Sequence, residues 1–149
     1  MAAFRPLLTL SFLTAMTLHG AWAAPSGATV RAEMANLRNA RGDVGCLLFN
    51  APDGYPDAHP KAHREMHAAI DGGRAVCDFT DLAPGTYAVI VFHDENLNGK
   101  LDKNFLGMPQ EGYGASNNVR PKLSAPAFKD ASFSVSPGAT STLTIQMGY

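Results

Sequence analysis

An unbroken apolar stretch at Tyr87–Phe92 constrains the fold of this chain more than any other segment. The side chains of a β-strand alternate between the two faces of a sheet. In this stretch both alternating sets are apolar, so neither face is suited to water. A strand of that kind is typical of a central position, covered on both sides. We therefore expect Tyr87–Phe92 to be buried and to pair with a neighbouring strand along each edge.

Further short strands are predicted before and after this segment. Their apolar residues alternate with polar ones or form short runs, bounded by turn signals such as Pro84-Gly85. They lie at residues 30–35, 44–50, 74–82, 131–135 and 141–147. Six to seven short strands with antiparallel connections, together with one short helical segment, predict an all-β fold, an antiparallel β-sandwich.

The N-terminal residues have the composition of an export signal. Arg5 supplies a positive charge, residues 7–18 are mostly apolar, and Ala21-Trp22-Ala23 fits a small-x-small cleavage pattern. The apolar part is too short for a membrane span; an uncleaved N-terminal anchor is the alternative. We predict a signal peptide at residues 1–23, a single domain at residues 24–149, and a periplasmic or secreted location.

The charge balance argues against one class of partner. Twelve Lys and Arg residues against 13 Asp and Glu residues give a net charge of −1, and loss of Arg5 with the signal makes it about −2. The sequence has no basic patch of the kind that binds nucleic acid. After residue 23 no apolar run reaches the length of a membrane span. We expect no nucleic-acid partner and no membrane span in the mature chain.

The chain has two cysteines, Cys46 and Cys77. In an oxidising compartment outside the cytoplasm, a pair of thiols usually becomes a disulfide. We predict a Cys46–Cys77 bridge; two buried free thiols in neighbouring strands are the alternative.

Residues 94–102, directly after the apolar strand, carry oxygen-bearing side chains at alternate positions. Ca²⁺ prefers such hard oxygen ligands, and calcium loops place a glycine sixth, a backbone carbonyl seventh and a side chain or water ninth. Here Gly99 is the sixth residue of the loop. The sequence therefore predicts a Ca²⁺ site. Its ligands would be Asp94, Asn96, Asn98, the Lys100 carbonyl and Asp102.

The twelfth position of this loop departs from the calcium pattern, because Phe105 stands where a bidentate glutamate is expected. Another carboxylate would have to complete the shell. Glu111 is the nearest candidate, with Glu95 and Asp53 as weaker ones. The alternative is a series of Asx turns, in which Asp and Asn side chains cap their own backbone without a metal.

Three histidines, His59, His63 and His67, lie four residues apart in a segment with helical spacing. A helix over His59–Ile70, with Pro60 near its start, would align them as one ridge. Such a ridge suits Zn²⁺ or Cu²⁺, whereas the simpler interpretation is a solvated helix face. A second alternative chemistry is a small metal-assisted hydrolase at residues 93–102, with His93 as a base oriented by Asp94.

Four blocks of the chain together resemble a known family. They are Asp81-Leu82-x-Pro84-Gly85-x-Tyr87, then residues 91–102, residues 105–118 and residues 126–131. The chain resembles the uncharacterised exported bacterial proteins grouped as domain of unknown function 2141. The resemblance implies an exported protein with an immunoglobulin-like or transthyretin-like sandwich and no assigned activity.

The function predicted from these features is that of an exported, non-catalytic binding or accessory module. A protein, peptide or carbohydrate is the expected class of ligand, and Ca²⁺ in the 94–102 loop is the expected cofactor. The hydrolase at His93–Asp102 and the histidine-ridge metal protein remain the two alternatives.

Overall fold

The computed structural model describes residues 27–121 and 124–149. The predicted signal peptide at residues 1–23 lies outside the described residues. Within the described part, no helix is long and apolar enough to cross a membrane.

Eight strands form two sheets, which confirms the predicted β-sandwich class. The strands are β1 (Ala28–Ala35), β2 (Asp43–Phe49), β3 (Arg64–Ala68), β4 (Ala75–Leu82), β5 (Gly85–Asp94), β6 (Tyr113–Ala115), β7 (Phe133–Val135) and β8 (Thr140–Gln146). The first sheet has the order β4-β1-β8, with β1 and β8 parallel. The second sheet has the order β3-β2-β5-β6, and β7 also pairs with β5. The helical elements are a four-residue α1 (Phe128–Ala131) and two short 3₁₀ turns, His59–Lys61 and Ser116–Asn118.

Strand β5 is the central strand of the second sheet, as the sequence predicted. It pairs with β2 along one edge, and with β7 and then β6 along the other. Residues 87–94 are all buried. The prediction for Tyr87–Phe92 is therefore confirmed, and the strand runs two residues further, to Asp94.

The main core lies between the two sheets and contains the disulfide. Alternate residues of β1, β2, β4 and β5 meet there, with Phe79 and Met34 among the largest fully buried side chains. Cys46 on β2 and Cys77 on β4 are bonded, with their Cα atoms 6.7 Å apart. Because β2 and β4 belong to different sheets, this predicted bridge is confirmed as a covalent link between the two layers.

The helix predicted over His59–Ile70 is wrong. Only the 3₁₀ turn at His59–Lys61 is helical there, and Arg64–Ala68 forms the edge strand β3 on β2. Met66, Ala68 and Ile70 follow a period of two and pack against the main core. A period of two favours a strand, whereas the three-to-four-residue spacing in the same segment favours a helix. The unpaired edge of β2 offers backbone hydrogen bonds to this segment, and these make it a strand.

A second apolar cluster covers the outer face of the second sheet. It is formed by buried residues of β2, β5, β6 and α1: Leu47, Phe49, Ala88, Ile90, Phe92, Ala115 and Ala131. Loop residues pack over it, including Tyr55 and Leu101. Both faces of β5 are thus covered, one by the other sheet and one by loops, and the loop covering is where the candidate site lies.

Candidate functional site

A cleft of about 760 Å³ opens on the outer face of the second sheet. Its floor is made of Leu47 on β2 and Ile90 and Phe92 on β5, all three buried members of the second apolar cluster. Clefts of this size with mostly apolar linings are typical of small-molecule sites. The cleft therefore lies over the side of β5 that faces away from the main core.

Three loop segments form the walls of the cleft. They are residues 56–59 after β2, residues 100–109 after β5, and Pro121 with residues 124–126 before α1. Four prolines are among the lining residues, and proline has a fixed φ angle. The three wall segments are far apart in sequence, and they come together because each one packs on the same sheet.

The segment 103–109 is a tight turn that presents apolar side chains to solvent. Lys103 and Pro109 form a β-bridge, and Asn104 Oδ1 accepts the backbone N–H groups of Leu106 and Met108 at 2.9 and 3.0 Å. Phe105 is 94% exposed, Leu106 71% and Met108 52%. Large apolar side chains held out in this way mark an interaction site more often than a free surface.

An ion pair joins two walls of the cleft. Lys103 Nζ lies 2.9 Å from Asp57 Oδ2, and both residues line the opening. Their side chains are 40% and 66% exposed, so the pair contributes little to stability. Its effect is local, because it neutralises two of the charges at the rim.

The loop at residues 94–102 begins with a carboxylate turned onto its own backbone. Asp94 is buried, and its Oδ1 and Oδ2 accept the N–H groups of Asn98 and Gly99 at 3.0 and 2.6 Å. Gly99 has a φ of 76°, a left-handed conformation that glycine adopts without strain. Both oxygens of the first predicted ligand are therefore used to close the loop.

Three of the other predicted ligands meet at one point of the loop. Asn96 Nδ2 and Asn98 Nδ2 donate to Asp102 Oδ2 and Oδ1, each at 2.8 Å. Asn98 Oδ1 accepts the backbone N–H of Lys100 at 3.0 Å. The structure thus brings Asn96, Asn98 and Asp102 together, with Asp94 on the neighbouring backbone.

Glu111 closes this loop from outside. It is 5% exposed, its Oε1 accepts the N–H of Glu95 at 2.9 Å, and its Oε2 accepts the N–H of Asp102 at 3.0 Å. One carboxylate therefore fixes the first and the last turn of the loop. Sequence reasoning singled out Glu111 as a metal ligand; the structure places it as a clamp between the two ends of the loop.

The two weaker candidates for an additional metal ligand are engaged elsewhere. Asp53 pairs with Lys61 at 2.8 Å. Glu95 accepts hydrogen bonds from Arg38 and Asn39 at 2.6 and 3.1 Å. Although burial alone would raise the pKa of Glu95, these hydrogen bonds hold it below its ordinary value.

The donor set of the 94–102 loop fits Ca²⁺ in chemical type, since it combines two carboxylates, two amides and a backbone carbonyl. Within residues 27–121 and 124–149, no group of three or more His, Cys, Asp or Glu side chains is arranged to hold a metal ion. Of the three carboxylates in the loop, Glu95 is held by Arg38 and Asn39, which leaves Asp94 and Asp102. Any ion here would depend on the amide oxygens of Asn96 and Asn98, which would have to turn towards it.

His93 is a buried structural residue. It is fully buried; Nε2 lies 2.8 Å from the Arg41 carbonyl, and Nδ1 lies 2.8 Å from the Tyr149 hydroxyl. A carbonyl only accepts hydrogen bonds, so Nε2 carries a proton; in the neutral imidazole Nδ1 then accepts from the Tyr149 hydroxyl. Tyr149 in turn accepts the N–H of Arg38 at 3.0 Å. Both ring nitrogens are engaged, so the geometry offers no support for His93 as a base.

The three histidines do not form the ridge that the predicted helix would have produced. His59 Nδ1 lies 2.8 Å from Glu65 Oε1, and His67 Nδ1 lies 3.0 Å from Asp43 Oδ1. The hydrogen bond to Asp43 raises the pKa of the His67 imidazole. His63 is separate from both and lies 3.3 Å from the amide nitrogen of Asn50. His67 Nε2 also lies 3.6 Å from Glu65 Oε1, so His59 and His67 share one carboxylate oxygen. The structure therefore brings together two of the three predicted histidines, and His63 lies apart from them.

Sequence reasoning missed the cleft itself. The available signal was the apolar composition of Phe105, Leu106 and Met108 inside a loop otherwise rich in Gly, Asn and Pro. Such residues in a long loop favour a binding role. Phe105 also occupies the twelfth position of the calcium-loop pattern, and that pattern by itself does not indicate a cleft.

Comparison with known proteins gives one match, and it is to a family. No curated protein and no solved structure matched the chain. Residues 32–143 match the model of a bacterial family described as "Uncharacterized protein conserved in bacteria (DUF2141)". This range contains β2 to β7, the second half of β1, the start of β8 and every residue of the cleft and the 94–102 loop. Since the match covers well over half of the sequence, the chain belongs to this bacterial family.

Proposed function

We propose that this protein is an exported, non-catalytic module that binds a small molecule with an apolar body in the cleft on the second sheet. One observation carries the proposal: a cleft of about 760 Å³ has buried apolar side chains as its floor and exposed apolar side chains at its rim. A soluble monomer rarely leaves such side chains uncovered without a use. The Cys46–Cys77 bridge is compatible with export, which the N-terminal composition favours independently.

Binding of an uncharged apolar fluorophore, such as N-phenyl-1-naphthylamine, tests the cleft. The double variant Leu106→Ser with Met108→Ser should weaken saturable binding about tenfold, because two apolar wall contacts are lost. Both residues are exposed, so the fold should tolerate the change. Fluorescence titration of the full chain measures the effect.

Val76→Ser is the matched control for this titration. Val76 lies on β4 in the other sheet, is 37% exposed and does not line the cleft, so its replacement should leave the affinity unchanged. Equal losses in both variants would mean that the probe adheres to exposed apolar surface in general. Absence of saturable binding to the wild-type chain would overturn the proposed function.

We also propose that Ca²⁺ binds the 94–102 loop and steadies one wall of the cleft. Support comes from the donor types and from the meeting of Asn96, Asn98 and Asp102 at hydrogen-bonding distance. If an ion bound here, the Asn96 and Asn98 amides would give up their N–H contacts to Asp102. Their oxygens and the Asp102 carboxylate would then hold the ion. Lys100, Leu101 and Asp102 all line the cleft, so this loop is part of the binding wall.

Millimolar Ca²⁺ should raise the melting temperature, and Mg²⁺ should do so less because it demands a stricter octahedral geometry. The stabilisation is about 2.7 kcal/mol when free Ca²⁺ is a hundredfold above Kd. Asp94→Ala and Asp102→Asn should each abolish the Ca²⁺-induced shift, whatever their own melting temperatures. Asp53→Ala, an exposed carboxylate outside the loop, should retain it. An unchanged wild-type melting temperature would leave the metal-free series of Asx turns as the correct interpretation.

A further inference from the structure

The charged side chains that line the cleft differ in how many hydrogen bonds and ion pairs they already make. Apart from His59, they are Asp57, Lys100, Asp102 and Lys103. Asp57 and Lys103 neutralise each other through their ion pair. Both oxygens of Asp102 accept amide N–H groups, from Asn96 and Asn98. These three side chains therefore have little capacity left for a ligand.

Lys100 is the exception among them. It is exposed at the rim, and its backbone N–H donates to Asn98 Oδ1 at 3.0 Å. In the part of the chain that the structure describes, its ammonium group makes no hydrogen bond or ion pair. His59, which can also carry a positive charge, is held by Glu65 at 2.8 Å. The charged group of the lining that is still open to a ligand is therefore the Lys100 ammonium group.

We propose that the ligand of the cleft is an amphipathic anion, an alkyl carboxylate whose head group pairs with Lys100 and whose chain lies on Leu47, Ile90 and Phe92. This inference rests on the proposed function, since it names the ligand class of the same cleft. The cleft places apolar surface at its floor and an unpaired cation at its rim, the separation that a molecule with one charged end requires. A cationic ligand would have to compete with Lys103 for Asp57 and with the Asn96 and Asn98 amides for Asp102.

The two parts of the ligand should contribute in different ways. Each methylene that reaches the apolar floor should strengthen binding about fourfold. The carboxylate pairs with an exposed ammonium group, so it should add only about threefold to fivefold, and high salt should remove this part first. Affinity should therefore rise steeply with chain length and modestly with charge.

Calorimetric titration of the full chain with decanoate and with decan-1-ol, in calcium-free buffer, separates the two contributions. Decanoate should bind the wild-type protein about threefold to fivefold more tightly than the alcohol of the same length. Lys100→Gln should abolish that preference while leaving decan-1-ol binding unchanged. Lys129→Gln, an exposed lysine on α1 outside the cleft, should keep the preference.

The outcomes distinguish this inference from the proposed function. Equal affinity for the acid and the alcohol, or equal effects of Lys100→Gln and Lys129→Gln, would overturn the anionic head group but leave the apolar cleft standing. Failure of both compounds to bind, together with failure of the uncharged fluorophore, would overturn the proposed function itself. Tighter binding of decan-1-ol than of decanoate would likewise overturn the anionic head group, because Lys100 would then not favour a carboxylate.

Discussion

Replacing both cysteines with alanine should lower the free energy of unfolding by about 3–4 kcal/mol on the chain-entropy account of a disulfide. The bridge spans 31 residues, and without it the unfolded chain gains the freedom of that loop. The cost should also be seen in cooperativity, because Cys46 and Cys77 connect the two sheets. Urea unfolding of the wild type and of the Cys46→Ala, Cys77→Ala variant measures the difference.

The reduced wild-type protein is the control that separates the bond from the side chains. Both cysteines are almost completely buried, so alanine also removes packing that the reduced thiols would keep. The wild type should therefore lose most of the same stability in reductant, whereas the double variant should not respond to reductant at all. A wild-type protein equally stable with and without reductant would show that the two sheets are held without the bridge.

The central strand and the disulfide could be predicted because each depends on a property that is local in sequence. Tyr87–Phe92 is apolar on both faces, and that alone requires cover on both sides. Two cysteines on predicted core strands, in a chain predicted to be exported, leave one intramolecular pairing. Neither inference needed to know which strands would become neighbours.

Strand β3 was mispredicted because its sequence supports two periods at once. Ala62, Met66 and Ile70 fit a helix, whereas Met66, Ala68 and Ile70 fit a strand. The choice was made by the unpaired edge of β2, which binds Arg64–Ala68 through backbone hydrogen bonds. That edge exists only once β2 has paired with β5, so the deciding contact is tertiary and is not encoded within the segment.

The cleft could not be located from the sequence, because it also depends on tertiary contacts. Its floor lies on β2 and β5, and its walls come from loops centred about 50 residues apart, near Asp57 and Met108. The ion pair between Asp57 and Lys103 is one of the contacts that bring these loops together. The residues of the 94–102 loop were recognisable from their spacing, but their spacing does not show that Lys100 and Leu101 line a cleft.

Glu111→Ala should lower the free energy of unfolding by about 3 kcal/mol, because two backbone N–H groups lose a charged acceptor and are left in a partly buried site. Its two oxygens accept from Glu95 and Asp102, so the loss should be concentrated in the loop between them. The near-isosteric Glu111→Gln keeps one acceptor oxygen and should lose about half as much. Gln110→Ala, at an exposed neighbouring position, should change stability by less than about 0.5 kcal/mol.

Amide hydrogen exchange distinguishes the clamp from a metal ligand at Glu111. If Glu111 clamps the loop, the amides of Glu95 and Asp102 should lose protection in Glu111→Ala even in chelator, since the hydrogen bonds need no ion. Affinity for the apolar fluorophore should fall with them, because Leu101 and Asp102 form part of the cleft wall. A side chain that served only as a Ca²⁺ ligand would behave in the opposite way: its removal would abolish the Ca²⁺-induced rise in melting temperature and leave the chelated protein unaffected. If the Glu95 and Asp102 amides stay protected in Glu111→Ala in the presence of chelator, the clamp interpretation is wrong and Glu111 is a Ca²⁺ ligand instead.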